Sequence, residues 1–406
     1  MIVKGKWLTL LAAAAFFLAP INLFVKWGEI YAYVGGIFSD YLIQKLWIGE
    51  LPVLLLLILW LPKKIYSQRQ KILPFLKKNI LLVVAVFILL ARQFFTPLPI
   101  ISLWYAIKVL ELVLFGWCLI DIWPKISRRL MEYVLLLTVL FQAGVATLQF
   151  LRQQSLFPYR ILGETQLAGS INIAQAAFAK GQTILAYGTT AHPNILAGVV
   201  VVFGLLWLKL RLTRRRFVGW QELSVIGIIG AVLFITQSYS AILALIGFLI
   251  IRSFPWLQSQ ARKIGWGVVL LAPLLLLALA TQFTDESIFR RAFLNAHAVS
   301  VFLQQPLAGV GLGLFTTQLN NTPAQELIRF IQPVHNGLLL LLTEAGILGG
   351  IVGLLGWQRF KRRLPTEWLW LLAVLLSFDH YLVTQWVGGV MLVLVISLLN
   401  KPTAKN

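Results

Sequence analysis

Gln332-Pro333-Val334-His335-Asn336 runs straight into Gly337-Leu338-Leu339-Leu340-Leu341-Leu342-Thr343-Glu344-Ala345-Gly346-Ile347-Leu348-Gly349-Gly350-Ile351-Val352-Gly353-Leu354-Leu355-Gly356. The second stretch is as long as the roughly 20 apolar residues a helix needs to cross hydrocarbon. It carries one charge, Glu344. The first stretch is polar and sets an imidazole at the mouth of that helix. Working outward, similar runs centre near residues 16, 53, 87, 111, 141, 200, 227, 246, 272, 373 and 391, so about twelve spans are expected in all.

Composition agrees. Of 406 residues, 59% are hydrophobic and 12% charged, and the mean hydropathy is +0.84. A water-soluble fold has nowhere to hide that much apolar surface, so the solvent is a bilayer. Long unbroken apolar runs exclude a transmembrane barrel, whose strands alternate. The expected fold class is therefore an all-α integral membrane protein, one polytopic domain over residues 1–406. Lys4 and Lys6 precede the first run, which lacks a small-residue cleavage site; it reads as a retained helix. Cys118 is the single cysteine, so no internal disulfide forms and no cysteine metal site is indicated.

The net charge of +21 suggests nucleic acid until its distribution is read. Alternate loops collect Lys63, Lys64, Arg69, Lys71, Lys77, Lys78, Lys125, Arg128 and Arg129 on one side. Lys209, Arg211, Arg214, Arg215, Arg216, Arg252, Arg262, Lys263, Arg359, Lys361, Arg362 and Arg363 follow there, with Lys4, Lys6, Lys401 and Lys405 at the termini. Positive short loops mark the cytoplasmic face. Both termini are thus expected in the cytoplasm, and the charge is topological, with a lipid bilayer and no nucleic acid as partner. The opposite face receives two larger loops, residues 153–192 and 282–335. They hold Arg160, Lys180 and His192, and Arg290, Arg291, Arg329 and His335. Basic residues on the positive-poor side point to use.

Within the second loop, Phe289 to Leu303 has helical periodicity at Phe289, Ala292, Phe293, Ala296, Val299 and Phe302, and Pro306 and Gly309 stop it. Such a helix is expected to lie on the membrane with that face down. Gly309-Val310-Gly311-Leu312-Gly313 resembles a phosphate loop in composition only. It follows no strand, and a tight turn near the bilayer is the simpler reading. His335 is either an interfacial cap or a tunable base. Arg291 is either a headgroup anchor or a phosphate clamp, and Asn336 reads equally as a helix N-cap. Glu344 inside a span calls for a partner or a function. Lys108 and Glu111 neutralise each other at a spacing of three. No spacing here calls for a metal.

Arg291, Pro306-Leu307-Ala308-Gly309-Val310-Gly311, Gln332-Pro333-Val334-His335-Asn336 and Glu344-Ala345-Gly346-Ile347-Leu348-Gly349 together resemble the signature of the O-antigen ligase and polymerase superfamily. Tyr187-Gly188-Thr189-Thr190-Ala191-His192-Pro193-Asn194, Ser238-Tyr239-Ser240-Ala241 and Asp379-His380-Tyr381 agree in kind, so the likeness spans about residues 187–390. The resemblance implies a multi-pass protein of the bacterial inner membrane. It would transfer or polymerise a glycan from a polyprenyl-diphosphate carrier to a hydroxyl on a glycan, lipid or protein. No cofactor or metal is implied, and a single displacement would invert the sugar carbon. Arg291 then matches the loop arginine that holds the diphosphate, and His335 the histidine that activates the acceptor. Arg290, Arg160, His192, Asn194, Gln332, Asn336, Asp379 and His380 are the expected substrate contacts. Two positions depart from the pattern: Leu185 and Tyr239 stand where relatives often carry arginine, and Arg160, Lys180 or Arg290 would have to compensate. A solute transporter is the competing class, but it would concentrate its polar groups near mid-membrane.

Overall fold

A computed structural model describes residues 2–167, 173–178, 181–213, 218–261, 267, 286–321, 330–360 and 364–399. The expected run centred at 272, Lys180, Asp285 and Arg329 lie outside these residues. In chain order the elements are α1 (Ile2–Leu18), β1 (Phe24–Trp27), β2 (Tyr33–Val34), β3 (Ile37–Phe38), β4 (Gln44–Trp47), α2 (Glu50–Lys78), α3 (Ile80–Arg92), α4 (Pro99–Ile122) and α5 (Arg128–Arg152). Then come α6 (Tyr159–Leu162), β5 (Gln175–Phe178), β6 (Gly181–Ile184), α7 (Pro193–Leu212), α8 (Trp220–Thr236) and α9 (Tyr239–Ser253). The last are α10 (Glu286–Gln304), α11 (Gly337–Phe360), α12 (Thr366–Phe378), α13 (Tyr381–Thr384) and α14 (Trp386–Leu399).

The chain is mostly helical, and every expected centre other than 272 falls in a helix. The count of twelve spans is not confirmed. Among the described residues four helices are long and apolar enough to cross a membrane, or up to five if the bent pair after Tyr239 is one span. α1, α3, α8, α12 and α14 are apolar but shorter. The basic segment 63–78, expected as a loop, continues α2 despite Pro62 and Pro74 inside it. The expectation of helix alone also fails in the loops. β1 pairs β4 antiparallel, β2 pairs β3, and β5 pairs β6. These ladders sit between helices, where a chain reversal leaves backbone groups that only pairing or water can satisfy.

α7 is the central pillar, buried almost continuously from Ile195 to Leu208. Small residues let neighbours close on it: a Cβ at Gly198 would lie 2.1 Å from the Tyr381 hydroxyl, and one at Gly204 2.7 Å from Ile229. The main core joins α7 to α1, α2, α4, α5, α8, α9, α12 and α14. A second core lies at one end. It gathers Ala32, Val34, Leu42 and Ile43 from the first hairpins with Leu294, Ala298 and Val301 of α10, plus Val310, Phe315, Val334 and Leu340. α10 turns Ala292, Leu294, Asn295, Ala298 and Val301 inward while Phe289 is 55% exposed. Its buried stripe shares Ala292 and, with Phe293 packed against this core, part of the face read in the sequence, and adds Leu294, Ala298 and Val301 to it. The helix packs on protein, chiefly α11, as well as facing outward.

The other end is ionic. Lys64 pairs with Asp121 at 2.5 Å, Arg211 with Glu222 at 3.2 Å, and Arg252 with Glu367 at 3.7 Å. Basic residues assigned to one side by the charge pattern therefore share one end of the bundle, opposite the second core.

α11 is broken where the sequence offers glycine. Gly346 has φ 64 and ψ −166, a conformation that leaves helical hydrogen bonds unmade. The segment after α10 fills them: Val310 N donates to Thr343 O at 3.0 Å, Gly311 N to Glu344 O at 2.9 Å, Ile347 N to Pro306 O at 2.8 Å and Leu348 N to Leu307 O at 3.0 Å. Gly309, Gly311 and Gly313 all have positive φ. The glycines are thus a tight strap along a broken helix, as the turn reading expected. Glu344, expected to need a partner, has two: its carboxylate accepts from Gly313 N at 2.9 Å and from Phe315 N at 3.2 Å.

Candidate functional site

The turn before α7 is fixed by two buried glutamines of α5. Gln149 Oε1 accepts from Tyr187 N (3.1 Å) and Gly188 N (2.8 Å), and its amide donates to Gly188 O (2.8 Å). Gln142 accepts from Thr189 N at 3.0 Å and donates to Thr189 Oγ1 at 2.6 Å. This clamp delivers His192 to the N-cap of α7, where Nδ1 accepts from Asn194 N at 3.2 Å, with Pro193 at the first helical position, as propensity favours. Two residues after His192, Asn194 Nδ2 donates to Asp379 Oδ2 at 3.0 Å.

Asp379 ends α12. Its other oxygen accepts from the His380 backbone N at 2.8 Å and lies 3.9 Å from His335 Nδ1. Asn336 sets that approach. Its Oδ1 caps α11 through Leu339 N at 2.8 Å, while Nδ2 donates to Ser377 O at 3.0 Å and ties α11 to the end of α12. Asn336 is a positioning cap, as its simpler reading held. His335 and His380 rings lie 5.3 Å apart. His380 Nδ1 shares a hydrogen bond of 2.7 Å with Thr384 Oγ1, and Tyr41 packs edge-on against its ring at 5.6 Å.

Electrostatics bind these groups into one unit. Burial pushes the imidazoles of His335, His192 and His380 below their ordinary range; Arg291 pushes each lower, and Asp379 opposes both effects. For His335 the displacement is large. Burial would raise the Asp379 carboxyl, but the surrounding His380, His335, His192 and Arg291 reverse that and hold it low, ionised at neutral pH. His335 Nδ1 is buried and makes no hydrogen bond among the described residues, whereas its side chain keeps 17% exposure. The arrangement is a neutral imidazole with a carboxylate behind it, one edge open and a guanidinium nearby. It can take up a proton and hold an anion.

The structure brings together His335, Arg291, His192, Asn194, Asn336, Asp379 and His380. Arg290 is half-buried beside Arg291 on α10, and Gln332 is half-buried in the segment leading to His335. Arg160 is exposed on α6, whose Tyr159 packs on Phe24. Leu185 is buried and Tyr239 is 77% exposed, so neither position offers a cation. Tyr41, Tyr105, Thr316 and Thr384 escaped the sequence reading. The segment that holds Tyr41 drew no reading, and only its alternating Tyr33-Val34 and Ile37-Phe38 hint at hairpins. Ligand atoms of His335, Asp379 and His380 fall within 4.8 Å of one another, so these three are the described residues that could hold a metal ion. The Arg291 charge acting on all three works against a cation there.

A family model described as O-Antigen ligase matches residues 224–353, so over that stretch the chain is similar to the O-antigen ligases. The match includes Arg291, the glycine strap, His335 and Glu344, and stops short of Asp379. No curated protein matches the chain.

Proposed function

We propose that the protein transfers or polymerises a glycan, taking it from a polyprenyl-diphosphate carrier and passing it to a hydroxyl acceptor on the outer face of the bacterial cytoplasmic membrane. The family match supports a membrane glycan-processing enzyme of the ligase and polymerase class. The observation that carries the finer reading is the placement of His335 between Asp379 and the open side of the site, within the field of Arg291.

With Asp379 ionised, the His335 proton sits on Nδ1, toward the carboxylate, and the Nε2 lone pair is free. Nε2 takes the proton of the acceptor hydroxyl as its oxygen attacks the anomeric carbon. The bond from that carbon to the carrier diphosphate breaks in the same step, so configuration inverts. The electron pair leaves on the diphosphate, whose charge Arg291 meets, with Arg290 adjacent. Asp379 stabilises the imidazolium that forms, the role a carboxylate plays behind a catalytic histidine elsewhere. Asn194, whose backbone N–H donates to His192, holds Asp379 in place. The basic end of the bundle then faces the cytoplasm, and both termini lie there.

The test is transfer by purified protein in liposomes with a polyprenyl-diphosphate-linked glycan mixture. His335→Ala and Arg291→Ala are each expected to lose at least about a hundredfold, the scale of one lost transition-state contact. Wild-type rates in both folded variants would refute the site.

A further inference from the structure

Beyond Pro62, α2 is left unanswered by the protein's own packing. Residues 63–78 hold Lys63, Lys64, Arg69, Lys71, Lys77 and Lys78 and no carboxylate. At the same end of the bundle Arg128 is met by Glu132, Arg211 by Glu222 and Arg252 by Glu367. Within 63–78 an acidic partner is found for Lys64 alone, in Asp121. Lys63, Arg69, Lys71, Lys77 and Lys78 are exposed and meet no carboxylate among the described residues. Apolar side chains of the segment are uncovered too. Ile65, Tyr66 and Leu76 are all exposed, Tyr66 at 70%, with the Arg69 guanidinium over its ring at 4.6 Å.

The two sets separate around the helix. At about 100° per residue, Ile65 and Leu76 fall on one arc, with Tyr66 at its border, and Lys63, Ser67, Gln70, Lys71, Lys77 and Lys78 fall on the arc opposite. A topological signal needs basic residues near a span and is indifferent to the face they occupy. Segregated apolar and basic faces, both open, are instead the mark of a helix lying in a membrane interface. The flanking helices hold it there. Leu55, Ile58 and Leu59 are exposed apolar surface before Pro62, and Ile80, Leu81 and Val84 are the same directly after Asn79. Both flanks need hydrocarbon, so an arm of about 24 Å cannot stand off into water without pulling the start of α3 out of the bilayer. Pro62, which removes a helical hydrogen bond, marks where α2 can turn into the plane.

We propose that residues 63–78 are an in-plane anchor that binds anionic phospholipid in the leaflet at the ionic end of the bundle. Ile65, Tyr66 and Leu76 enter the acyl boundary, and the five unanswered cations meet lipid phosphates. A lipid surface is the partner, and not a dissolved anion, because the cations come with an apolar face that a free phosphate would leave in water. This holds whether or not the chain is a transferase.

Full-length protein carrying Cys118→Ser is spin-labelled at Ile65→Cys or Lys71→Cys and reconstituted in vesicles of phosphatidylcholine with about 30% phosphatidylglycerol. The label at position 65 is expected to be open to oxygen and shielded from a soluble nickel chelate, and the label at position 71 the reverse. With p-benzoylphenylalanine at position 70, on the basic arc, photocapture of phosphatidylglycerol over phosphatidylcholine should exceed the bulk ratio at least about fivefold, the scale of one cation at an anionic surface. Combining Lys63→Gln, Arg69→Gln, Lys71→Gln, Lys77→Gln and Lys78→Gln should return capture to the bulk ratio at an unchanged melting temperature. Raising the salt should do the same with all five cations in place, a comparison that needs no further variant to fold. Nickel reaching both labels equally would overturn the proposal, as would capture at the bulk ratio in low salt. Shielding of position 65 that appears only after cytosolic extract is added would assign the face to a protein partner, and displacement of phosphatidylglycerol by micromolar inorganic pyrophosphate would assign the cations to a soluble anion; either result sinks the anchor.

Discussion

Replacing Asp379 by Asn removes one charge from the site and little volume. The carboxylate oxygen lies 3.9 Å from His335 Nδ1. At an effective dielectric constant of about 20, a unit charge pair at that separation interacts by about 4 kcal/mol, or roughly a thousandfold in rate. The interaction exists only once His335 has taken the acceptor proton, so it belongs to the transition state and not to the resting site. A second effect adds to the first. Both carboxylate oxygens accept, one from Asn194 Nδ2 and one from the His380 backbone N. An amide has a single acceptor oxygen, so one of these donors is left facing an NH₂ group. If that group turns to His335, it donates to Nδ1, and the imidazole adopts the tautomer that cannot act as a base at Nε2. We expect kcat to fall by about a hundred- to a thousandfold, with both KM values within about threefold. The acid limb of the pH–rate profile should move to lower pH, because Asp379 raises the proton affinity of His335 and its loss lets the imidazole fall further. The assay is steady-state transfer in liposomes between pH 5 and 8, with melting temperature as the control for folding. A loss smaller than about fivefold in a folded variant would refute the role given to Asp379.

Three other outcomes follow from the same geometry. His192 titrates lower in the folded chain than in the unfolded one, so below about pH 6.5 the unfolded state binds more protons and stability falls as pH drops, by up to about 1.4 kcal/mol per pH unit. Melting curves from pH 7.5 to 5 should show this slope reduced in His192→Asn, which keeps a capping acceptor; an identical slope would count against a buried neutral His192. Chelation should leave transfer intact, since His335 and Asp379 serve as base and counter-charge; loss with EDTA and recovery with one divalent ion would convert His335, Asp379 and His380 into a metal centre. Glu344→Gln keeps one acceptor oxygen for two N–H donors, so stability should drop by about 1.5 to 3 kcal/mol without a selective change in either KM. A Glu344→Gln variant as stable as wild type would show that the carboxylate does not hold the strap.

Bilayer chemistry made much of this legible in advance. Apolar runs located helices because hydrocarbon tolerates little else, and Arg291, His335 and Asp379 were found because polar groups at a membrane face are few. Span number was less legible, because a hydropathy run does not say whether its helix crosses or stops after 13 residues, as α3 and α12 do. The stripe of α10 was legible only in part, because Phe289, Val299 and Phe302 are apolar at helical spacing in any environment, whereas protein packing buries Leu294, Ala298 and Val301 beside Ala292. Tyr41 and Tyr105 stayed hidden because their relation to the site comes from the hairpins folding back over α4, a long-range contact no local pattern encodes. The exchange between Asn194 and Asp379, 185 positions apart, is of the same kind.

The glycine strap has a bearing on traffic. By helical rise, Gly346 lies about 13 Å below the start of α11, and Pro306 to Gly311 supply the hydrogen bonds that α11 lacks there. Peeling the strap away would strip those bonds inside hydrocarbon, at several kcal/mol each. It therefore serves as permanent wall, and never as a door. Under the proposed function, a carrier lipid sliding its tail sideways to bring its diphosphate to Arg291 would have to find another seam in the bundle, one closed by side chains alone.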